Sequence, residues 1–484
     1  MRSLARNALD KALALVLGLF LLLALIRGGN TPFAMSLALG LSLCVAAVAG
    51  CLMYASRSNE NRWSNAATSL NVALLLLMVG GALGLFTVAA AQWLTLPGRD
   101  AYAGVIDLLA LPDLRVQRLA LSTDPYATKR ALLALVPCLV IAAAIPLLSR
   151  RALLQLLGAV AVFAVFEALI GLFQLGFRGA SLLVLEYAGH NRASGTFVNK
   201  NHYATLLAMT LPLLIFRAAG QCSFFFHRGE PTAFSNVCWG AATAFVAAAL
   251  VASLSRAGVL AGGIASLWAI GFCAVQRRTV SKRALLATAA ILLLALSLAT
   301  MTGLAQLIKS TTSGGVGEGL FGRTVMNQHT WSGIVEFFPL GAGLGSYAIA
   351  FQRFQTPGLL GFVEYAHNDY LQLLFELGAL GVVVLALLLL AAVLAGRTLW
   401  LSRVAGDRLS PALACYLGAS AFAIHAWFDF PSHIPAIAIL ATLLFAASMN
   451  LALVDVGRKR PAPAPITRLD TSQMPRASES SPLK

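Results

Sequence analysis

Four short segments of this chain gather side chains that can hold anions or move protons. In Ser253-Leu254-Ser255-Arg256-Ala257-Gly258, Arg256 is the single charge in a polar break between two apolar runs. A guanidinium there reads either as a side chain snorkelling to lipid phosphate or as a fixed cation for an anionic substrate group. The second segment, His190 to Tyr203, carries Arg192, Lys200, Asn201 and His202, and Gly195 allows close backbone approach. Part of that polar density suits the start of the next helix, and Asn201 reads equally well as its N-cap. Capping does not explain Arg192 or Lys200.

The third segment runs from Glu364 to Gly381 and is the most informative. His367, next to Asn368, stands at the mouth of an apolar run, and imidazole is the side chain best suited to take a proton near neutral pH. Asp369, Gln372 and Glu376 follow at helical spacing on one face. The tenth span is predicted to start at Tyr370, which puts Glu376 about two turns inside the membrane, where an ionisable group is costly and marks a polar cavity. The simpler alternative is an interfacial histidine beside a solvated helix cap. In the fourth segment, His425 to His433, His425 and Asp429 share a helix face at i, i+4. They read as two ligands of a metal pair or as a hydrogen-bonded corner. Two ligands are too few for a metal, and the corner is preferred.

These segments need a scaffold, and composition says which kind. The chain has 484 residues, 59% hydrophobic and 11% charged, with a mean hydropathy of +0.80. Soluble domains carry about 25% charged residues. A water-soluble enzyme, a disordered chain and a nucleic-acid-binding protein are excluded; the sequence predicts an all-α polytopic membrane protein. Runs of roughly 20 apolar residues cross a bilayer as helices. They are predicted near Leu9–Ile26, Phe33–Tyr54, Ala67–Trp93, Ala131–Leu148, Ala152–Leu175, Tyr203–Ala219, Val237–Leu254, Gly258–Val275, Ala284–Met301, Tyr370–Ala395, Pro411–Phe428 and Ile434–Leu453, about twelve in all.

The net charge of +16 sorts along the chain. Arg2, Arg6 and Lys11, then Arg57 and Arg62, Arg150 and Arg151, Arg217 and Arg228, Arg277 to Arg283, Arg397 to Arg408, and Arg458 to Arg460 fall in alternate connections. Basic loops face the cytoplasm, so both termini are expected inside and the four segments outside. The first run lacks a small-residue cleavage site and is read as a retained anchor rather than a signal peptide. Residues 1–456 form the predicted membrane domain. Its outer loops lie near 95–130, 176–201 and 302–369, the last and largest between the ninth and tenth spans. That loop opens with a flexible stretch, Ser310 to Gly319, followed by Trp331, Phe337, Phe338, Tyr347 and Phe354, which can pack. Residues 457–484 are expected to be a disordered cytoplasmic tail. Six of the seven cysteines fall in predicted spans, as small packing residues, and Cys222 in an inner loop. No disulfide framework follows.

Absences narrow the chemistry. The chain has no G-x-x-x-x-G-K-[ST] phosphate loop, and its outer segments have no pair of carboxylates spaced to clamp a metal diphosphate. No nucleotide is supplied outside a bacterial inner membrane, so a synthetic reaction there needs a pre-activated donor, for which a lipid-linked diphosphate is the natural candidate. Arg256, Arg192 and Arg323 could then stabilise the departing charge in place of a metal.

Read in order, these pieces resemble the O-antigen ligase and polymerase family of bacterial membrane glycosyltransferases. They are Arg192-Ala-Ser-Gly-Thr-Phe-Val-Asn-Lys-Asn201, Ser255-Arg256, Gly322-Arg323 followed by Trp331, Pro339-Leu-Gly-Ala-Gly-Leu-Gly345, Ala366-His-Asn-Asp-Tyr-Leu-Gln372 with Glu376, Gly378 and Gly381, and His425-x-x-x-Asp429-Phe430. The likeness spans Arg192 to Pro435; Lys200 stands where a small residue or proline is more usual.

The resemblance implies a GT-C-like membrane fold and an inverting, metal-independent glycosyltransferase without cofactor, in the inner membrane, acting in lipopolysaccharide or other polysaccharide biosynthesis. The donor would be a glycan on undecaprenyl diphosphate, and the acceptor lipid A–core or another glycan. Matching positions make His367 the base, place Arg256, Arg192 and Arg323 on the diphosphate, and leave Asn368, Asp369, Glu376, Asn201, Lys200, His425 and Asp429 in support. A ligase is preferred over an O-antigen or exopolysaccharide polymerase because of the single large outer loop. A polysaccharide or lipid transporter is the rival class, and a scaffold in an assembly complex is a third. The position of the charges near one surface favours chemistry over translocation.

Overall fold

The computed structural model describes residues 2–56, 95–96, 119–120, 122–176, 192–221, 233–276, 315–356, 362–402 and 410–457. The predicted spans Ala67–Trp93 and Ala284–Met301, most of the 95–130 loop, His190, Cys222 and the tail from 458 lie outside the described residues. Thirteen α-helices are described: α1 (Arg2–Leu19), α2 (Pro32–Ser56), α3 (Pro125–Ala144), α4 (Arg150–Gly176), α5 (Lys200–Ala218), α6 (Ala233–Ala252), α7 (Arg256–Gln276), α8 (Gly315–Phe337), α9 (Tyr347–Ala350), α10 (Asp369–Leu377), α11 (Ala379–Ser402), α12 (Ser410–His425) and α13 (Pro435–Gly457). Among the described residues one ladder departs from the helical pattern, with Thr95 and Leu96 pairing antiparallel to Ala120 and Leu119.

Among the described residues, seven helices are long and apolar enough to cross a membrane: α2, α3 with its extension to Leu147, α4, α6, α7, α11 and α13. The protein is a polytopic membrane protein. Three more helices sit at predicted spans without meeting that standard, each for a different reason. The first turns of α1 carry Arg2, Arg6, Asp10 and Lys11. Helix α12 has only 16 residues. Helix α5 starts with Lys200, Asn201 and His202 and carries Arg217 in its last turn, but it faces protein rather than lipid. Nearly every residue from His202 to Phe216 is buried, because α6, α7 and α12 pack around it. A helix wrapped in this way has no need of a lipid-compatible surface.

Two expectations are corrected in the large loop. Residues from Gly315 belong to α8 rather than to a flexible stretch. Trp331 and Phe338 do not pack inside: they are 56% and 57% exposed. The packed set is Phe337, Tyr347, Phe351, Phe354 and Phe375, whose rings meet at centroid distances of 4.9–6.1 Å.

A third correction concerns Glu376. The predicted span beginning at Tyr370 is two helices. Helix α10 has nine residues and ends at Gly378, whose φ of +55° is a conformation that favours glycine. The candidate span begins only at Ala379. The break is held from outside, since Ala379 N–H donates to the Pro339 carbonyl at 2.8 Å. Ala342 and Gly343 N–H donate to the carbonyls of Phe375 and Glu376, both at 2.9 Å. Glu376 therefore lies in α10, ahead of the candidate span, and is bonded to the loop. The Pro339–Gly345 stretch wedges between α10 and the start of α3, where Thr128 Oγ1 donates to the Leu344 carbonyl at 2.7 Å. A Cβ at Gly341 would overlap the backbone of Glu376 and Gly378. The cysteines pack unevenly: Cys273 and Cys415 are buried, whereas Cys44, Cys51 and Cys238 face outward.

Candidate functional site

One end of the bundle collects the starts of α5, α7 and α10, the end of α12, and the loops that join them. His367 sits immediately before the α10 cap in a left-handed backbone conformation, φ +50°. For a non-glycine residue that costs about 1–3 kcal/mol and persists only when neighbours fix it. They do. Ala366 N–H donates to Gln372 Oε1 at 3.0 Å. Asn368 caps α10, accepting from the N–H groups of Tyr370 and Leu371 at 3.1 Å each. Asp369 N–H donates to the Ala426 carbonyl at 2.9 Å. The His367-Asn368-Asp369 segment is thereby docked on the α12–α13 turn.

That docking makes a dyad. His367 Nδ1 lies 3.0 Å from Asp429 Oδ1. A carboxylate on Nδ1 requires the proton there, which leaves Nε2 with a free lone pair. The ring is 31% exposed while Asp429 is buried. Burial alone would raise the Asp429 carboxyl, but the hydrogen bond from His367 and the charges of His367, His202 and His425 outweigh it and hold the group well below the ordinary carboxylate range. Phe430 lies edge-to-face with the rings of His367 and His202, each at 4.9 Å, and Tyr365 stacks on it at 4.1 Å.

Around the dyad, the supporting residues fall into distinct tasks. His425 bonds Thr205 on α5 rather than Asp429, its Nδ1 lying 2.6 Å from Oγ1. The two therefore sit in a hydrogen-bonded corner, not as a facing pair. Among the described residues no three His, Cys, Asp or Glu side chains gather as metal ligands. Asp369 Oδ1 meets His433 Nδ1 at 3.0 Å, and Gln372 Nε2 bridges His433 Nε2 and Glu376 Oε1, both at 3.0 Å. Glu376 Oε2 accepts from Gly345 N–H at 2.6 Å. With the proton on His433 Nδ1, every donor in this chain meets an acceptor. The Asp369, Gln372 and Glu376 face thus ties the His367 motif to the glycine loop.

The cations approach from the other side. Lys200 is the first residue of α5, ahead of the span predicted from Tyr203, and its Nζ donates to the Leu254 carbonyl at 2.8 Å. Burial first, then the charges of Arg192, Arg256 and Arg323, lower its pKa to about 8, with Asp429 opposing. All three arginines therefore lie within electrostatic reach of one ammonium. The backbone shows why. Ala193 N–H donates to the Ala252 carbonyl at 2.9 Å, drawing Arg192 to the turn that carries Arg256. Arg323 Nη1 donates to the Phe428 carbonyl at 2.9 Å, bringing α8 to the dyad. The α5 cap is Asn199, which accepts from Asn201 N–H at 2.9 Å. Asn201 itself sits in the first turn, so the expectation of an Asn201 cap is corrected by two residues.

Sequence reasoning missed the pairing of His367 with Asp429 and left out Thr205 and Tyr365; it named His202 and His433 without these contacts. Only the i, i+4 spacing of His425 and Asp429 pointed at that turn, and it suggested the wrong partner.

Residues 241–386 match the family model described as O-antigen ligase. No curated protein matches the chain. The matched stretch holds Arg256, Arg323, the glycine loop and the His367–Glu376 segment, while Arg192 and the His425–Asp429 turn lie outside it. The motifs, the membrane-spanning helices and this match agree, and the stretch that builds most of the site is similar to the O-antigen ligase family.

Proposed function

We propose that the protein transfers a glycan from undecaprenyl diphosphate to an acceptor sugar hydroxyl, with inversion and without a metal, at the periplasmic face of a bacterial inner membrane. Ligase- or polymerase-type activity accompanies the family; donor, acceptor and side are our reading. It is carried by one observation, an oriented His367–Asp429 dyad at the same end of the bundle as four cationic side chains. In the reaction, His367 Nε2 takes the acceptor hydroxyl proton as the oxygen attacks the anomeric carbon. The bond from that carbon to the diphosphate breaks, and Arg192, Arg256, Arg323 and Lys200 receive the charge that develops on the leaving group. Asp429 stabilises the imidazolium. Orientation is supported by the helices themselves. Helix α4 starts at Arg150 and Arg151, and α5 runs from Lys200 at the site to Arg217, so basic residues mark the far end, as expected of a cytoplasmic face.

Deleting the gene and profiling surface polysaccharide tests the reading. Loss of glycan-capped lipid A–core with long lipid-linked chains accumulating identifies a ligase. Accumulation of single lipid-linked repeat units identifies a polymerase, and an unchanged profile overturns both.

Lys200 gives a pH signature. Its folded pKa of about 8 lies below the ordinary 10.5. The folded protein therefore binds fewer protons than the unfolded chain between those values, and this group's contribution to stability rises with pH across that window. Donor binding runs the other way. Above about pH 8 the ammonium is lost, so donor KM should climb there, and Lys200→Met should flatten the climb. An identical climb in Lys200→Met assigns it to another group.

A further inference from the structure

We propose that Glu167, a buried carboxyl group on α4, positions Arg192 by clamping the loop behind it, and does so as a neutral acid. The inference rests on the reading that Arg192 binds the donor diphosphate. Glu167 has no exposed surface and takes no part in the chemistry above. Both of its oxygens are used on one residue: Thr196 N–H donates to Oε2 at 3.1 Å, and Thr196 Oγ1 lies 2.6 Å from Oε1. Two turns on, Gln174 completes the grip. Its Nε2 donates to the Gly195 carbonyl at 2.7 Å, and its Oε1 accepts from Ser194 N–H at 3.2 Å. Between them Gly171 leaves room, since a Cβ there would overlap the Tyr203 hydroxyl. Glu167, Gly171 and Gln174 stand at i, i+4 and i+7, one face of one helix, and that face fits a single backbone strand, Ser194 to Thr196. Gly195 is tailored to match. Its φ is +56°, and a Cβ would run into the Glu167 carboxyl. Arg192 enters this strand two residues earlier, tethered on its other side by the Ala193–Ala252 hydrogen bond.

The protonation state follows from counting hydrogens. Thr196 Oγ1 contacts Glu167 Oε1 at 2.6 Å and the Ala24 carbonyl oxygen at 2.9 Å. A hydroxyl carries one proton, and a carbonyl oxygen has none to give. If the Thr196 proton goes to Ala24, the contact with Glu167 needs a proton from the acid. A carboxylate would leave two acceptors facing each other in a buried site, a costly arrangement. A carboxylic acid satisfies all three atoms in one line: Glu167 to Thr196 to Ala24. A glutamine supplies the same pattern, with its amide N–H donating to Thr196 Oγ1 and its oxygen accepting the Thr196 N–H.

The test uses the full chain in phospholipid vesicles with a polyprenyl-diphosphate-linked glycan as donor. Four variants are compared: Glu167→Gln, Glu167→Leu, Gln174→Leu and Arg192→Ala. Glu167→Leu and Gln174→Leu should raise donor KM and lower kcat/KM for the donor by about a hundredfold, the loss expected when a positioned group is displaced by about an ångström, with acceptor KM kept. Glu167→Gln should behave as the unaltered protein. Hydrogen exchange at the Ser194–Thr196 amides should quicken in both leucine variants and not in the glutamine one. A Glu167→Gln chain as impaired as Glu167→Leu overturns the neutral acid. Unchanged donor KM in both leucine variants, with Arg192→Ala impaired, overturns the positioning role. If Arg192→Ala leaves donor KM unchanged, the diphosphate reading of Arg192 fails instead, and slow exchange in the leucine variants would then overturn the clamp by itself. Should Glu167→Leu fail to fold, Gln174→Leu and the glutamine variant carry the same comparison.

Discussion

A His367→Ala chain, inserted in lipid and given both substrates, should transfer glycan about 10²- to 10⁴-fold more slowly, the range lost with a positioned general base. The loss should fall on kcat. Donor KM should hold, because the cations that would bind the diphosphate come from α5, α7, α8 and the Arg192 loop, not from the His367 segment. Expression and insertion should also hold: Asn368 caps α10 without help from the imidazole, and alanine relieves nothing that the bundle depends on. Single-turnover rates with saturating donor provide the measurement. Transfer at the unaltered rate would remove His367 as the base.

Asp429→Asn should be nearly as severe, again about 10²-fold or more in kcat. Asparagine keeps the size of the side chain but removes the negative charge that sits 3.0 Å from His367 Nδ1. An imidazolium formed during proton transfer then has no counter-ion. The amide can also turn its NH₂ toward Nδ1, which selects the tautomer whose lone pair points inward rather than at the acceptor. Donor KM separates this from simple misfolding, since the cations stay in place and only kcat should fall. The unaltered dyad keeps Asp429 ionised, because the hydrogen bond from His367 and the charges of the surrounding histidines hold its carboxyl low. An unaltered kcat in the asparagine variant would separate Asp429 from His367 function.

Legibility in the sequence divided along physical lines. Spans facing lipid were plain, because a surface in contact with hydrocarbon must be apolar along its whole length: α2, α4, α6 and α7 fall where the runs put them. The start of α10 was legible too, since Asp369, Gln372 and Glu376 do share a face and form one bonded chain. The break at Gly378 was hidden, because the residues that flank it, Leu377 and Ala379, are both apolar and only the Pro339 loop, docked from elsewhere, shows that the chain turns there. The His367–Asp429 pair joins residues 62 positions apart, and no periodicity reports a contact of that range. The Glu167 clamp was invisible for the opposite reason. An acid inside a span reads as a transport or cavity residue, and only its partner Thr196 reveals that it grips backbone. The arginines stood out because a cation on an outer turn runs against the charge bias, a signal that needs no tertiary information.

The Gly378 joint has a mechanical consequence. Since α10 is bonded to the glycine loop and to the α12–α13 turn, while α11 begins on its far side, the segment bearing His367 is fastened to the cap of the molecule and not to the shaft beneath it. The joint itself is clamped, since Ala379 N–H donates to the Pro339 carbonyl and a Cβ at Gly378 would overlap the Pro339 and Gly341 backbone. A tilt of α11 would therefore strain against the Pro339 loop before it reached the base and its counter-ion.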